Sequence, residues 1–311
     1  MNLRFLETFI WVAKLGSFRA AADRLHVTQA AISGRIASLE SELEKSLFER
    51  GSRDIQLTPA GQHLLLYSEK MLQLEQQLLA DFQGPFVLRG RVRLGIVESI
   101  VHTWFTTFVR ALHRTHPDVE IELTVESSRR LSDLLKRGLI DVALQTDPIL
   151  TESIRNAPLG DLKMDWVIAA GQSLDNPTSL EALNARWPIV TFPRESQPHL
   201  ALMEVLEHAH VRQPKIHFVS SIAASMQLIA AGICVGAVPL AAFRQGLAEG
   251  RFERISCSAN LPDLKLVASW RTDPVSAVAE AVVKVAMDEM RSYAARYPDA
   301  TAPLDFRVFQ N

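Results

Sequence analysis

The sequence is poor in cysteine: Cys234 and Cys257 are the only two among 311 residues. That excludes a disulfide framework and a multi-cysteine zinc site, and it fits a reducing compartment. No run of 18 apolar residues occurs, so no segment is expected to span a membrane and no membrane partner is expected. The opening stretch MNLRFLETFIWVAKLGSF is broken by Arg4, Glu7 and Lys14, which does not suit a secretory leader. A cytoplasmic location is the expectation. There is no Walker-type loop, nucleophile elbow or HEXXH motif, so neither an enzyme nor a cofactor is expected. His113 and His116 lie close together, as do His208 and His210, but no nearby cysteine or patterned carboxylate completes a ligand set. No metal site is expected. A large charge imbalance is also missing. The formal net charge is −2, so any affinity for nucleic acid has to come from a local surface rather than from the whole molecule.

What is present is an ordinary globular mixture, 48% hydrophobic and 22% charged, in a chain long enough for two or three domains. Leu3, Leu6, Phe9, Ile10 and Ala13 recur at helical spacing, and Gly16 ends that helix. Ser17 is placed to cap a second helix containing Ala20, Ala21 and Leu25. After a break at His26-Val27, Thr28 is placed to cap a third, with Ala31, Ile32, Ile36, Leu39 and Leu43 inward. Residues 47–57 read as a small hairpin turning at Gly51-Ser52. Thr58-Pro59 then opens a helix running to about Phe82. Along it Leu64, Tyr67, Met71, Leu74 and Leu78 make a heptad-like seam that calls for a partner, most simply a second copy of the chain. From Arg91 onward short apolar strands alternate with helices, the pattern of parallel sheets with crossover connections. Strands are expected at 92–97, 119–125, 142–145, 166–169, 189–192, 217–219, 235–238 and 264–270, with a closing helix at about 274–293.

Three helices with a short break between the second and third form a helix-turn-helix, whose third helix lies in the major groove. Subtracting its inward face leaves Thr28, Gln29, Ser33 and Arg35 as outward candidates. Glutamine pairs with adenine, arginine with guanine, and serine with several bases. Thr28 and Gln29 also stand where helix-start amides receive a phosphate. Arg50 and Arg53 flank the hairpin turn and are candidates for backbone phosphate. Residues 1–58 hold eight Lys/Arg against seven Asp/Glu, so Glu40, Glu42 and Glu44 have to point away from phosphate. A helical interaction module without nucleic-acid binding is the alternative reading of the pattern alone.

The run AAADRLHVTQ at residues 20–29, Ser33, Leu39–Leu43, LFER at 47–50 and LTPAG at 57–61 keep order and spacing over about 60 residues. This segment resembles the N-terminal signature of the LysR-type transcriptional regulators. Ala30 and Gly34 depart from it, standing where the family often carries proline and a basic or amide residue. The resemblance continues more loosely over nearly the whole chain. It implies a winged helix-turn-helix over 1–58 and a linker and dimerisation helix with hinge over 59–89. It further implies a two-lobed α/β effector domain, like periplasmic binding proteins, over 90–295, and leaves a tail at 296–311. Lobe 1 is expected at about 90–163 and 266–295, lobe 2 at about 164–265. The fold class is therefore α+β multidomain. The implied partners are double-stranded DNA bearing an interrupted near-palindrome, a small-molecule effector, and the chain itself as a homodimer or homotetramer. RNA polymerase is a further candidate partner.

In α/β lobes ligands sit at the carboxyl ends of strands, in the crevice between lobes. The loops at those ends supply Ser99, Ile100, His102, Ser127, Ser128, Thr146, Arg194, Ser196 and Ser221 as candidate effector contacts. Hydroxyls at helix starts favour an anionic oxygen. The resemblance implies small organic acids as ligands, so a carboxylate is the expected class, with Arg194 as counter-charge and His102 as a pH-sensitive donor. Glu98 and Glu126 near the same mouth work against it. Taken singly, each serine reads equally as a plain helix cap. Cys234, in the apolar stretch AGICVGAVP, reads as a buried thiol rather than a redox sensor. The alternatives to a regulator are a solute-binding protein, which needs no N-terminal unit, and an enzyme built on the same lobes.

Overall fold

A computed structural model of the chain describes residues 2–49, 55–82, 88–172, 178–272 and 276–302, with side chains at all but 70, 73 and 76–82. Two compact units result: Met1–Leu88 with Thr272–Ser276, and Arg89–Arg271 with Ala277–Asn311.

The first unit is built from α1 (Leu3–Leu15), α2 (Phe18–Leu25), α3 (Gln29–Leu43) and α4 (Pro59–Phe82). Each start has a chemical cause. Asn2, Ser17 and Thr28 turn their side-chain oxygens onto the amides of Arg4, Ala20 and Ala31, respectively. Gly16 and His26, both in the left-handed region, end α1 and α2. Leu6, Phe9, Val12, Ile32, Ile36, Leu39 and Leu47 are buried together, and Phe48 packs against the rings of Phe9 and Phe18. The two arms of the expected hairpin are joined by an antiparallel bridge between Phe48 and Leu57, with the Glu49 amide donating to Gln56 O at 2.9 Å, and the Gly51-Ser52 turn lies outside the described residues. Thr58 joins the hairpin to α4: its hydroxyl donates to Ser46 O at 2.7 Å while accepting from the Gly61 amide at 3.0 Å. Early in α4, Leu64 and Leu65 pack on this core. Farther along, Tyr67, Met71 and Leu74 are exposed.

The second unit holds two sheets. The first has β1 (Gly90–Ile96), β2 (Val119–Val125), β3 (Val142–Gln145), β4 (Ile154–Leu162), β10 (Leu264–Arg271) and β11 (Thr301–Ala302), in the order β11-β4-β10-β3-β1-β2. Its helices are α5 (Glu98–Val101), α6 (Phe105–Thr115), α7 (Ser128–Lys136) and α12 (Ala277–Arg296). The second sheet has β5 (Met164–Ala169), β6 (Ile189–Thr191), β7 (Ile216–Phe218), β8 (Val235–Pro239) and β9 (Phe252–Arg254), in the order β7-β6-β8-β5-β9. Its helices are α8 (Leu180–Arg186), α9 (Gln197–His208), α10 (Ile222–Ala230) and α11 (Leu240–Ala248). β1 runs parallel to β2 and β3, and β6 parallel to β7 and β8. The chain passes between sheets twice, at Lys163 and through 255–263. Lys163 is tied on both sides: its amide donates to Ala300 O and its carbonyl accepts from Leu240 N.

The expected tail contributes the end of α12 and strand β11, which pairs with β4. Only 303–311 lie outside the described residues at that end.

Candidate DNA-reading surface and effector cleft

α3 presents two unlike faces. Ile32, Ile36 and Leu39 are buried, whereas Thr28, Gln29, Ser33 and Gly34 are exposed. The Thr28 hydroxyl accepts from Ala31 N at 3.2 Å and keeps its own proton to donate. A Cβ built on Gly34 meets nothing within 4 Å, so that position is an open spot on the exposed face. Arg35 departs from expectation. It is half-buried, and its Nη1 donates to Thr8 Oγ1 at 3.0 Å, tying α3 to α1. Counting back along a helical face had placed it outward, because the partner on α1 is invisible in that count. Thr8 is fully buried and also donates to Arg4 O, so the guanidinium completes an internal pair of hydrogen bonds. Arg50 and Arg53 lie outside the described residues. Glu40 is turned inward, accepting from the Leu47 amide at 2.7 Å where α3 gives way to the hairpin. Glu42 and Glu44 are exposed.

The second unit has a cleft between its two sheets with a volume of about 800 Å³, within the range typical of small-molecule sites. Of the expected contacts, Ser99, Ser127, Ser128, Thr146, Arg194 and Ser196 line it. They reach it from the carboxyl ends of β1, β2, β3 and β6. Three expected contacts fall elsewhere. Ile100 is fully buried in the first lobe. His102 stands behind Glu98, with Nε2 3.3 Å from Oε1. Ser221 does not line the cavity; its neighbour Ser220 does. The reason is the same for the last two: both are engaged by the Glu98 carboxylate, which accepts from the Ser221 hydroxyl at 3.1 Å and from the Ile222 amide at 2.8 Å. Side chains that sequence reasoning missed also line the cleft: Arg129, Asp133 and Lys136 on α7, and Phe192 after β6. The i, i+4 and i, i+3 spacing of the α7 residues on an amphipathic helix was the available signal.

Several lining hydroxyls are already committed. The Thr146 hydroxyl donates to Asp147 Oδ2 at 2.8 Å, so the 2.7 Å contact between Ser128 and Thr146 has Ser128 as donor. Ser128 Oγ in turn accepts from the Thr146 amide. The Ser196 hydroxyl donates to Pro193 O at 2.6 Å. Ser127 only accepts, from Arg130 N, and is left with a proton to give. Arg194 lies over the Phe218 ring at 4.3 Å, which fixes its direction without neutralising it. Arg129 pairs with Glu195 across the cleft. The cavity thus offers Arg194, Lys136 and Ser127 to an anion, against Glu98, Glu126, Asp133 and Asp147.

The thiols are quiet. Cys234 is fully buried, and burial pushes both Cys234 and Cys257 above the ordinary thiol range, away from the reactive thiolate. Among the described residues no cluster of three or more metal-ligating side chains occurs, and no helix is long and apolar enough to cross a membrane.

A helix-turn-helix unit with an exposed third helix, followed by two α/β lobes around a cleft, defines a DNA-binding regulator with an effector domain. Residues 3–62 match the family described as bacterial regulatory helix-turn-helix protein, lysR family, and residues 87–291 match the LysR substrate binding domain. The chain belongs to the LysR family and is a DNA-binding transcriptional regulator with an effector-binding domain. It is 30% identical over 295 residues to the nitrogen assimilation regulatory protein nac of Klebsiella aerogenes, covering 92% of this chain and 94% of that one. It is 27% identical over 245 residues to the transcriptional regulator BenM of Acinetobacter baylyi, covering 77% and 80% of the two chains. Among solved structures, a full-length OxyR from Pseudomonas aeruginosa shares the fold with a TM-score of 0.73 at 22% identity, covering 98% of this chain and 99% of that one.

Proposed function

We propose that the chain acts as a homodimer or as a homotetramer built from two dimers, reads an interrupted near-palindrome through α3, and takes a small organic acid into the cleft of its second unit. The observation that carries the DNA reading is the run of Thr28, Gln29 and Ser33, exposed on a helix whose opposite face is core. Gln29 and Ser33 are the base readers and Thr28 with the α3 amides holds phosphate. Arg50 and Arg53 remain candidates for backbone phosphate at the hairpin. The exposed seam of Tyr67, Met71 and Leu74 on α4 supports pairing with a second copy, which sets two recognition helices on two half-sites. A carboxylate suits the cleft because Arg194, Lys136 and the Ser127 hydroxyl are its available donors. Ligand-dependent changes in lobe closure then alter the spacing of the paired DNA-binding units. The proposed setting is the cytoplasm, with RNA polymerase a further partner at the promoter.

Gel retardation with genomic fragments across a salt series tests the DNA half. Specific retention survives competitor DNA and weakens steadily as salt rises. Retention that competitor abolishes equally for every fragment contradicts it. Thermal shift with a panel of small acids, sugars and amines tests the other half, since a ligand of the folded state raises the melting temperature. Stabilisation by sugars or amines but by no acid contradicts the carboxylate.

A further inference from the structure

Glu98 opens α5 just after β1 in the first lobe, whereas Ser221 caps and Ile222 opens α10 in the second. The Glu98 carboxylate spans the cleft between them with both oxygens: Oε1 accepts from the Ser221 hydroxyl at 3.1 Å, and Oε2 from the Ile222 amide at 2.8 Å. Ser221 still caps its helix, accepting from Ala224 N at 3.3 Å. His102 stands against Oε1 from the rear, one turn along in the first lobe. This is how an external anion sits at a helix start, on a hydroxyl and a free first-turn amide with the helix dipole behind them. Here the anion belongs to the chain itself.

A second contact across the cleft among the described residues, Arg129 with Glu195, is different in kind. Arg129 and Glu195 pair with side chains 79% and 69% exposed, where water and side-chain entropy leave little net gain. The Glu98 side chain is only 23% exposed and takes two donors at once. A charge held on hydrogen-bond donors and partly withdrawn from water is the stronger tie.

We propose that Glu98 is a built-in latch, a carboxylate that holds the two lobes together before any effector arrives. Opening the cleft then requires Glu98 to leave Ser221 and Ile222. Any effector acid that takes the α10 start does so by replacing Glu98, so this residue sets which acids succeed. That last step rests on the reading of the cleft as an effector site. The latch itself does not.

The test uses the full chain without effector. Cysteines for spin labels are placed at Arg114 on α6 and Glu207 on α9, both exposed and one in each lobe, in a Cys257→Ser background. Pulsed EPR reads the distance between them. Glu98→Ala is expected to lengthen and broaden the distribution, Glu98→Gln to do so less, and Arg129→Ala to leave it unchanged. Acetate added to Glu98→Ala restores the shorter distance by refilling the vacated carboxylate position, while chloride at matched ionic strength does not. A Glu98→Ala distribution identical to the wild type overturns the latch, as does equal restoration by chloride. Should Glu98→Ala fail to fold, Glu98→Gln against Arg129→Ala decides the matter, and identical distributions overturn it. Failure of every acid to stabilise the wild type in a thermal shift sinks the effector reading and leaves these distances untouched.

Discussion

His199 is buried in the first turn of α9, with its ring edge-on to Phe218 at 5.2 Å. Its Nδ1 accepts from the Glu195 amide at 3.0 Å, which places the proton of the neutral ring on Nε2. Burial holds its pKa below the ordinary 6.5, the Arg194 charge adds to the depression, and Glu195 opposes it. Glu195 is itself in the left-handed region, φ 65°, a conformation that a non-glycine residue keeps only when its neighbours hold it. The unfolded chain takes a proton on this imidazole at a higher pH than the folded chain does. Stability from the neutral ring is therefore complete above about 6.5 and declines as pH falls below it. Melting temperatures measured from about pH 7.5 down to about pH 5 should fall more steeply for the wild type than for His199→Gln. Parallel curves would show that this ring does not couple to folding.

Arg35 shows what a single side chain hides from the sequence. Its position on α3 is outward by helical counting, yet a buried hydroxyl on α1 draws the guanidinium inward. Glu98 is the converse. Its carboxylate was legible as an obstacle to an acid, but its partners lie 123 and 124 residues away, and no local pattern announces them. Ser99, Ser127, Ser128, Thr146, Arg194 and Ser196 were legible because strand ends in α/β lobes converge.

Helices with caps and strong apolar periods were the most readable elements: α1 to α4 carry Asn2, Ser17, Thr28 and Thr58 at their starts. β4 was missed because Pro158 and Gly160 lie inside it, residues that ordinarily argue against a strand. A register shift between Leu266 and Val267 on the facing β10 accommodates them. β9 and β11, with three and two residues, were missed as well. The LTPAG segment gains a physical meaning from the close approach of α4 to the hairpin. A Cβ on Gly61 falls 2.1 Å from Leu47 O, a backbone atom that cannot swing aside. Gly61→Ala should destabilise the first unit by about 1–3 kcal/mol, the usual range for overpacking a tight site. Denaturant unfolding of the full chain followed through its first transition measures this. A value near that of the wild type would mean that α4 shifts freely and that the glycine is incidental.

The two units divide the work of a regulator: one displays a helix face, the other encloses a cleft. The near-neutral charge of the DNA-binding unit fits this division, since Glu40 is spent as a cap on Leu47 rather than facing outward. On the proposed reading, discrimination rests on Gln29 and Ser33 at the base edges. Selection of duplexes from a randomised pool by the wild type and by Gln29→Ala, Ser33→Ala and Arg35→Ala, at one fixed salt concentration, tests this most directly. Gln29→Ala and Ser33→Ala are predicted to relax the preference at one base pair of each half-site, with a loss of about 1–3 kcal/mol of discrimination for Gln29. Arg35→Ala is predicted to keep the selected sequence. An unchanged selected sequence for both Gln29→Ala and Ser33→Ala would contradict the account.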